Sequence, residues 1–99
     1  MQKKSVCVFC SASGGLDQTY YDLARETGQV IAQAGGRLVY GGAHRGMMGA
    51  VADGALEAGA DVIGVIPEFL IDAEQAHAGL TKLYTTQTMH ERQMKMGEL

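Results

Sequence analysis

Leu38-Val-Tyr-Gly-Gly-Ala-His-Arg-Gly-Met-Met-Gly49 is the stretch that decides how this chain folds. Leu38, Val39 and Tyr40 read as a short buried strand. Gly41 and Gly42 break it abruptly, because paired glycines let the main chain turn where a Cβ would forbid it. From Gly46 the apolar spacing becomes helical, with Met48, Val51, Ala52, Ala55 and Leu56 facing a core and Gly59 closing the helix. A strand that passes through a glycine bend into a helix is the first half of a βαβ unit.

The same grammar extends in both directions. Upstream, residues 5–10 are apolar and β-branched and predict a buried first strand, ended by Ser11-Ala-Ser-Gly-Gly15. Asp17 is placed to cap the helix that follows, on which Tyr20, Leu23, Ala24, Thr27, Ile31 and Ala34 recur at helical spacing before Gly35-Gly36 stops it. Downstream, residues 61–66 predict a third strand stopped by Pro67, which cannot donate a ladder hydrogen bond. A short helix is expected around 71–78, a fourth strand at Leu83-Tyr-Thr85, and a last helix over 89–96. Strands alternating with helices predict an α/β fold, a Rossmann-like open parallel sheet with helices on both faces and right-handed crossovers.

Bulk properties narrow the function. At 99 residues the chain is a single domain, and residues 1–99 read as the incomplete amino-terminal portion of one. A chain of this size buries only roughly 60–65 % of its unfolded surface. The net charge of −3, with eight scattered basic residues, argues against a nucleic-acid surface. No apolar run approaches a membrane span, and the start lacks a cleavable leader pattern, so a cytoplasmic location is expected. Cys7 and Cys10 have a C-x-x-C spacing, but a strand points them to opposite faces and no second ligand pair completes a zinc site. They are expected to be buried structural residues. His44, His77 and His90 show no ligand spacing and read as surface or loop residues.

In an open parallel sheet, ligands bind beyond the carboxyl ends of the strands. The segments expected there carry Ser11 and Ser13, then Gly41, Gly42 and Gly46, then Glu68, Asp72 and Glu74, then His90, Glu91 and Arg92. A helix start approached by glycine backbone suits a phosphate or ribose, although the same glycines would also serve tight strand–helix packing. Arg92 offers a planar fork that matches phosphate with parallel donors, and Glu74 at a helix start also complements the helix dipole.

Taken in order, Val6-Cys-Val-Phe-Cys-Ser-Ala-Ser13, Leu38-Val-Tyr-Gly-Gly42, Gly46-Met-Met-Gly49, Val51-Ala-Asp53, Val62-Ile-Gly-Val-Ile-Pro67 and Met89-His-Glu-Arg92 resemble the LOG family. These are the cytokinin riboside 5′-monophosphate phosphoribohydrolases, long labelled lysine decarboxylases. The resemblance implies a homodimer that cleaves the N-glycosidic bond of AMP-like nucleotides, without a metal or other cofactor. It implies that Arg92 is the catalytic arginine and that Glu74 contacts substrate. It also implies that Ser11, Ser13, Gly41, Gly42, Gly46 and Met89 line the nucleotide pocket. Three departures stand out: Gln93 replaces the usual lysine, Ser11 replaces a common glycine, and the family signature P-G-G-x-G-T-x-x-E does not occur. That signature supplies the phosphate cradle and the second catalytic group, a glutamate.

A non-catalytic nucleotide-binding or dimerisation module is the alternative that the missing signature favours. A pyridoxal-phosphate decarboxylase is rejected, because Lys3, Lys4, Lys82 and Lys95 occupy terminal or exposed positions unsuited to an internal aldimine. A relative carrying molybdenum cofactor on the same fold stays open.

Overall fold

The computed structural model describes residues 5–8 and 17–99, with the backbone alone at 73 and 74. Strand β1 (Ser5–Cys7) leads to helix α1 (Gln18–Gln33), strand β2 (Arg37–Tyr40), helix α2 (Gly46–Glu57) and strand β3 (Val62–Pro67). A 3₁₀ turn (Glu68–Leu70) and the short helix α3 (Ile71–Glu74) precede strand β4 (Lys82–Thr86) and helix α4 (Met89–Glu98). All pairings are parallel and the order is β1-β2-β3-β4, with Leu38 opposite Val62 and Val65 opposite Tyr84.

Helices cover both faces, as the element pattern requires. On one face, Ala24 and Ile31 of α1 and Val51, Ala52 and Ala55 of α2 pack on Leu38, Tyr40 and Val62. On the other, Met96 of α4 packs on Val39, Ile63 and Val65. Strand β3 is accordingly buried at every position, which explains its unbroken apolar run.

Both long crossovers end in the same way. Gly35 (φ 77°) and Gly59 (φ 89°) take the left-handed conformation just past α1 and α2. Gly36 N–H then bonds the Ile31 carbonyl, and Ala60 N–H the Ala55 carbonyl, which is the Schellman pattern.

Three expectations are corrected. The first strand is exposed at all three of its residues, Cys7 included, because it forms an edge of the described sheet. Phe9 and Cys10, and the turn beyond them, lie outside the described residues. On α1, Leu23 is 57 % exposed, and the buried face is Ala24, Gly28 and Ile31. A Cβ on Gly28 would strike the Val51 carbonyl and one on Gly54 the Arg25 carbonyl, so α1 and α2 cross backbone to backbone. The helix expected over 71–78 stops at Glu74, where Gln75 turns to φ 54°.

Candidate functional site

The site is assembled where β2, β3 and β4 end. The Thr88 hydroxyl accepts the Glu91 N–H at 3.1 Å, and the Glu91 carboxylate reaches back to the Gln87 N–H at 2.9 Å. This reciprocal capping fixes the first turn of α4 and therefore the origin of the Arg92 side chain. Arg92 folds inward and is only 5 % exposed. Its Nε donates to the Val65 carbonyl at 2.8 Å and its Nη2 donates to the Gly41 carbonyl. Its Nη1 lies 3.9 Å from the Met89 sulfur. The two carbonyl acceptors fix the orientation of the fork.

The Gly41–Gly46 turn is built for this contact. A Cβ on Gly41 would collide with Arg92 Nη2 and approach the Met48 methyl and sulfur to 2.9 Å. Gly42 and Gly46 take φ values of 79° and 63°. Buried Tyr40 braces the turn from below, its hydroxyl donating to the Ala43 carbonyl at 2.9 Å.

Residues 75–77 lie against the same turn. The His44 N–H donates to the Gln75 carbonyl at 2.6 Å and the His77 N–H to the Gly42 carbonyl at 2.9 Å, with Ala43 and Ala76 forming an antiparallel bridge. His77, expected as a surface or loop residue, is in a loop but buried at 9 % exposure. Its Nε2 is 2.7 Å from Asp53 Oδ1, and its Nδ1 accepts the Gly79 N–H at 2.9 Å.

Gly41, Gly42, Met89 and Arg92 therefore share one end of the sheet, and Gly46 opens α2 beside them. The Glu74 backbone ends α3 one residue before the Gln75 carbonyl, while its side chain lies outside the described residues. Ser11 and Ser13 also lie outside them. A cleft of about 230 Å³ runs between α1 and α2, lined among others by Tyr21, Asp22, Arg25, His44, Gly46 and Asp53. Of the described candidate residues, Gly46 alone lines it, so this cleft is distinct from the Arg92 cluster.

Sequence reasoning missed His77, Asp53 and the Val65 carbonyl. A His–Asp pair separated by 24 residues leaves no spacing signal, and a main-chain acceptor leaves none at all. Lys82 and Lys95 both stack on Tyr84, 4.8 and 4.4 Å from its ring centroid, rather than occupying an enclosed site. Among the described residues no group of three His, Cys, Asp or Glu side chains is arranged to hold a metal ion. No helix there is long and apolar enough to cross a membrane.

Comparison with known proteins identifies the family and the fold. Residues 48–99 match the family described as possible lysine decarboxylase. The chain is 50 % identical over 97 residues to a cytokinin riboside 5′-monophosphate phosphoribohydrolase of Rhodococcoides fascians, covering 97 % of this chain and 49 % of that protein. It is 34 % identical over 94 residues to the phosphoribohydrolase LOG2 of Arabidopsis thaliana, covering 95 % and 44 %. The chain thus spans about half the length of the curated relatives it matches. Among solved structures, the molybdenum cofactor binding protein of Rippkaea orientalis superposes with a TM-score of 0.79 at 23 % identity, covering 97 % of this chain and 57 % of that one. The Moco carrier protein of Chlamydomonas reinhardtii gives 0.73 at 24 %, covering 91 % and 53 %. Likeness at that level of identity speaks to the Rossmann-like fold alone.

Proposed function

The chain belongs to the LOG family, the one described as possible lysine decarboxylase, and we propose that its protein hydrolyses the N-glycosidic bond of a nucleoside 5′-monophosphate. The substrate is AMP or a cytokinin riboside 5′-monophosphate, and the products are the free base and ribose 5-phosphate. The observation that carries this reading is the meeting of Gly41, Met89 and Arg92 at the tips of β2 and β3.

In the reaction, water oxygen bonds to the sugar C1′ as the C1′–N bond breaks. The bond's electron pair goes to the base, which takes up a proton. The sugar passes through an oxocarbenium-like state with charge building on the leaving base. Arg92, immobilised by two main-chain acceptors, is suited to stabilise negative charge on phosphate or the departing base without reorganising. Gly41, Gly42, Gly46, Met89, Ser11 and Ser13 are proposed as the pocket wall, with Glu74 as a substrate contact. The carboxylate that orients water belongs to the P-G-G-x-G-T-x-x-E signature, which does not occur in these 99 residues. The second reading is a nucleotide-binding or dimerisation module of the same fold without chemistry.

We place the enzyme in the cytoplasm as a homodimer. Tyr20, Leu23 and Val30, all exposed on α1, form an apolar row that a second copy would cover. The test is chromatographic detection of adenine and ribose 5-phosphate from AMP with the full-length protein. Tight AMP binding without adenine release would establish the second reading instead.

A further inference from the structure

The turn that seats Arg92 carries a second load on its next peptide. The Gly41 carbonyl accepts from Arg92, and the Gly42 carbonyl accepts from the His77 N–H. Between these two acceptors Gly42 stands at φ 79°, so a shift of either carbonyl is passed to the other through a single flexible residue. Residues 75–77 are held on the turn by just two main-chain hydrogen bonds, around the left-handed Gln75. A ladder that short does not sustain itself in water. Some further restraint must keep it in place.

The His77 imidazole supplies that restraint. Its Nδ1 accepts a hydrogen bond from the Gly79 N–H, so the ring proton sits on Nε2, which donates to Asp53 Oδ1 at 2.7 Å. Both ring nitrogens are thereby committed, one to its own loop and one to α2. The His44 ring meets the His77 ring edge-on, with centroids 5.1 Å apart, and closes the gap between the two strips. Asp53 lies two turns along α2 from Gly46, and its carboxylate is 44 % exposed. The tether is therefore a directed polar link at the rim of the α1–α2 cleft rather than a piece of the apolar core.

We propose that His77 and Asp53 are positioning residues: their hydrogen bond latches residues 75–77, and the adjoining Glu74, onto the Gly41–Gly42 turn. The latch holds the pocket wall at the depth that Arg92 requires. The catalytic consequence rests on the phosphoribohydrolase reading; the latch itself does not.

The test uses the full-length protein with Asp53→Ala, Asp53→Asn and His77→Gln. Two readouts are taken: amide hydrogen exchange by NMR, and steady-state hydrolysis of AMP. Asp53→Ala should speed exchange at the His44 and His77 amides about tenfold while the Leu38 amide, bonded to the Asp61 carbonyl inside the sheet, keeps its wild-type rate. The KM for AMP should rise about three- to tenfold, the net scale of one lost hydrogen bond, with a smaller change in kcat. Asp53→Asn retains an oxygen acceptor for Nε2–H and should restore most of both effects. His77→Gln keeps a donor toward Asp53 but gives up the Gly79 acceptor geometry, so it should fall between. Unchanged exchange at His44 and His77 in Asp53→Ala overturns the latch, as does equal acceleration at Leu38. An active wild type with an unaltered KM in Asp53→Ala overturns the positioning role. A wild type that releases no adenine, with both amides still answering to Asp53, overturns the hydrolase reading and upholds the latch.

Discussion

Arg92 Nε lies 2.8 Å from the Val65 carbonyl oxygen, joining the first turn of α4 to the fully buried centre of β3. The residue proposed for catalysis is therefore also a fastener of the sheet, and the two roles separate by substitution. Arg92→Ala should lower unfolding free energy by about 1–3 kcal/mol, because two main-chain acceptors lose their donor. In urea titrations this appears as a lower midpoint at unchanged slope. Adenine release from AMP should fall by about 10²–10³, the usual loss for a preorganised electrostatic donor. Arg92→Lys keeps the charge but cannot span both carbonyls, so it should recover part of the stability and little of the rate. Wild-type turnover in Arg92→Ala would remove the assignment.

Gly41→Ala tests the seat rather than the side chain. The added methyl meets the tip of Arg92 and the flexible end of Met48, both of which are able to move. The fold should survive with unfolding free energy lowered by about 1–3 kcal/mol, while activity falls at least tenfold as the fork is displaced. A fully active Gly41→Ala protein contradicts the geometry described.

Gly28→Ala and Gly54→Ala should behave in the opposite sense. Each Cβ meets main chain of the facing helix, which cannot rotate away. Overpacking of this kind typically costs about 1–3 kcal/mol, so thermal unfolding should shift clearly downward. Whatever protein remains folded should keep its KM for AMP, since neither glycine belongs to the Arg92 cluster.

Although Cys7 is exposed on its edge strand, the neighbouring chain desolvates its thiol enough to push the pKa up. Less thiolate is present at pH 8 than in a free cysteine, so iodoacetamide should label Cys7 more slowly than a model thiol, as read by peptide mass spectrometry. The sign for stability follows from the proton balance. The folded chain holds this proton to higher pH than the unfolded one, so the contribution is complete below the ordinary thiol pKa. It is lost as pH climbs through the raised value. Labelling faster than the model thiol would contradict the desolvation.

Much of the fold was legible because punctuation and periodicity agree. Gly35, Gly41-Gly42, Gly59 and Pro67 mark boundaries that the structure respects to within one or two residues. The facing of α1 was not legible, because Gly28 has no hydrophobicity to count yet permits the closest approach of α2, turning Leu23 outward. The early end of α3 depends on the backbone of Gln75, which nothing in its side chain announces. Within the candidate site, the glycines and Arg92 stood out as expensive choices for folding alone. His77 and Asp53 did not, since their partnership exists only once α2 and the 75–79 loop are brought together.

The backbone contacts at Gly28 and Gly54 carry a consequence for motion. Where the two backbones meet directly there is no side chain to slide or re-pack, so α1 and α2 should move together. Local opening at this end of the sheet is then expected first in residues 68–81, where Phe69 stands in solvent and helical order is brief. Any opening there would be one-sided, a hatch against a rigid jamb.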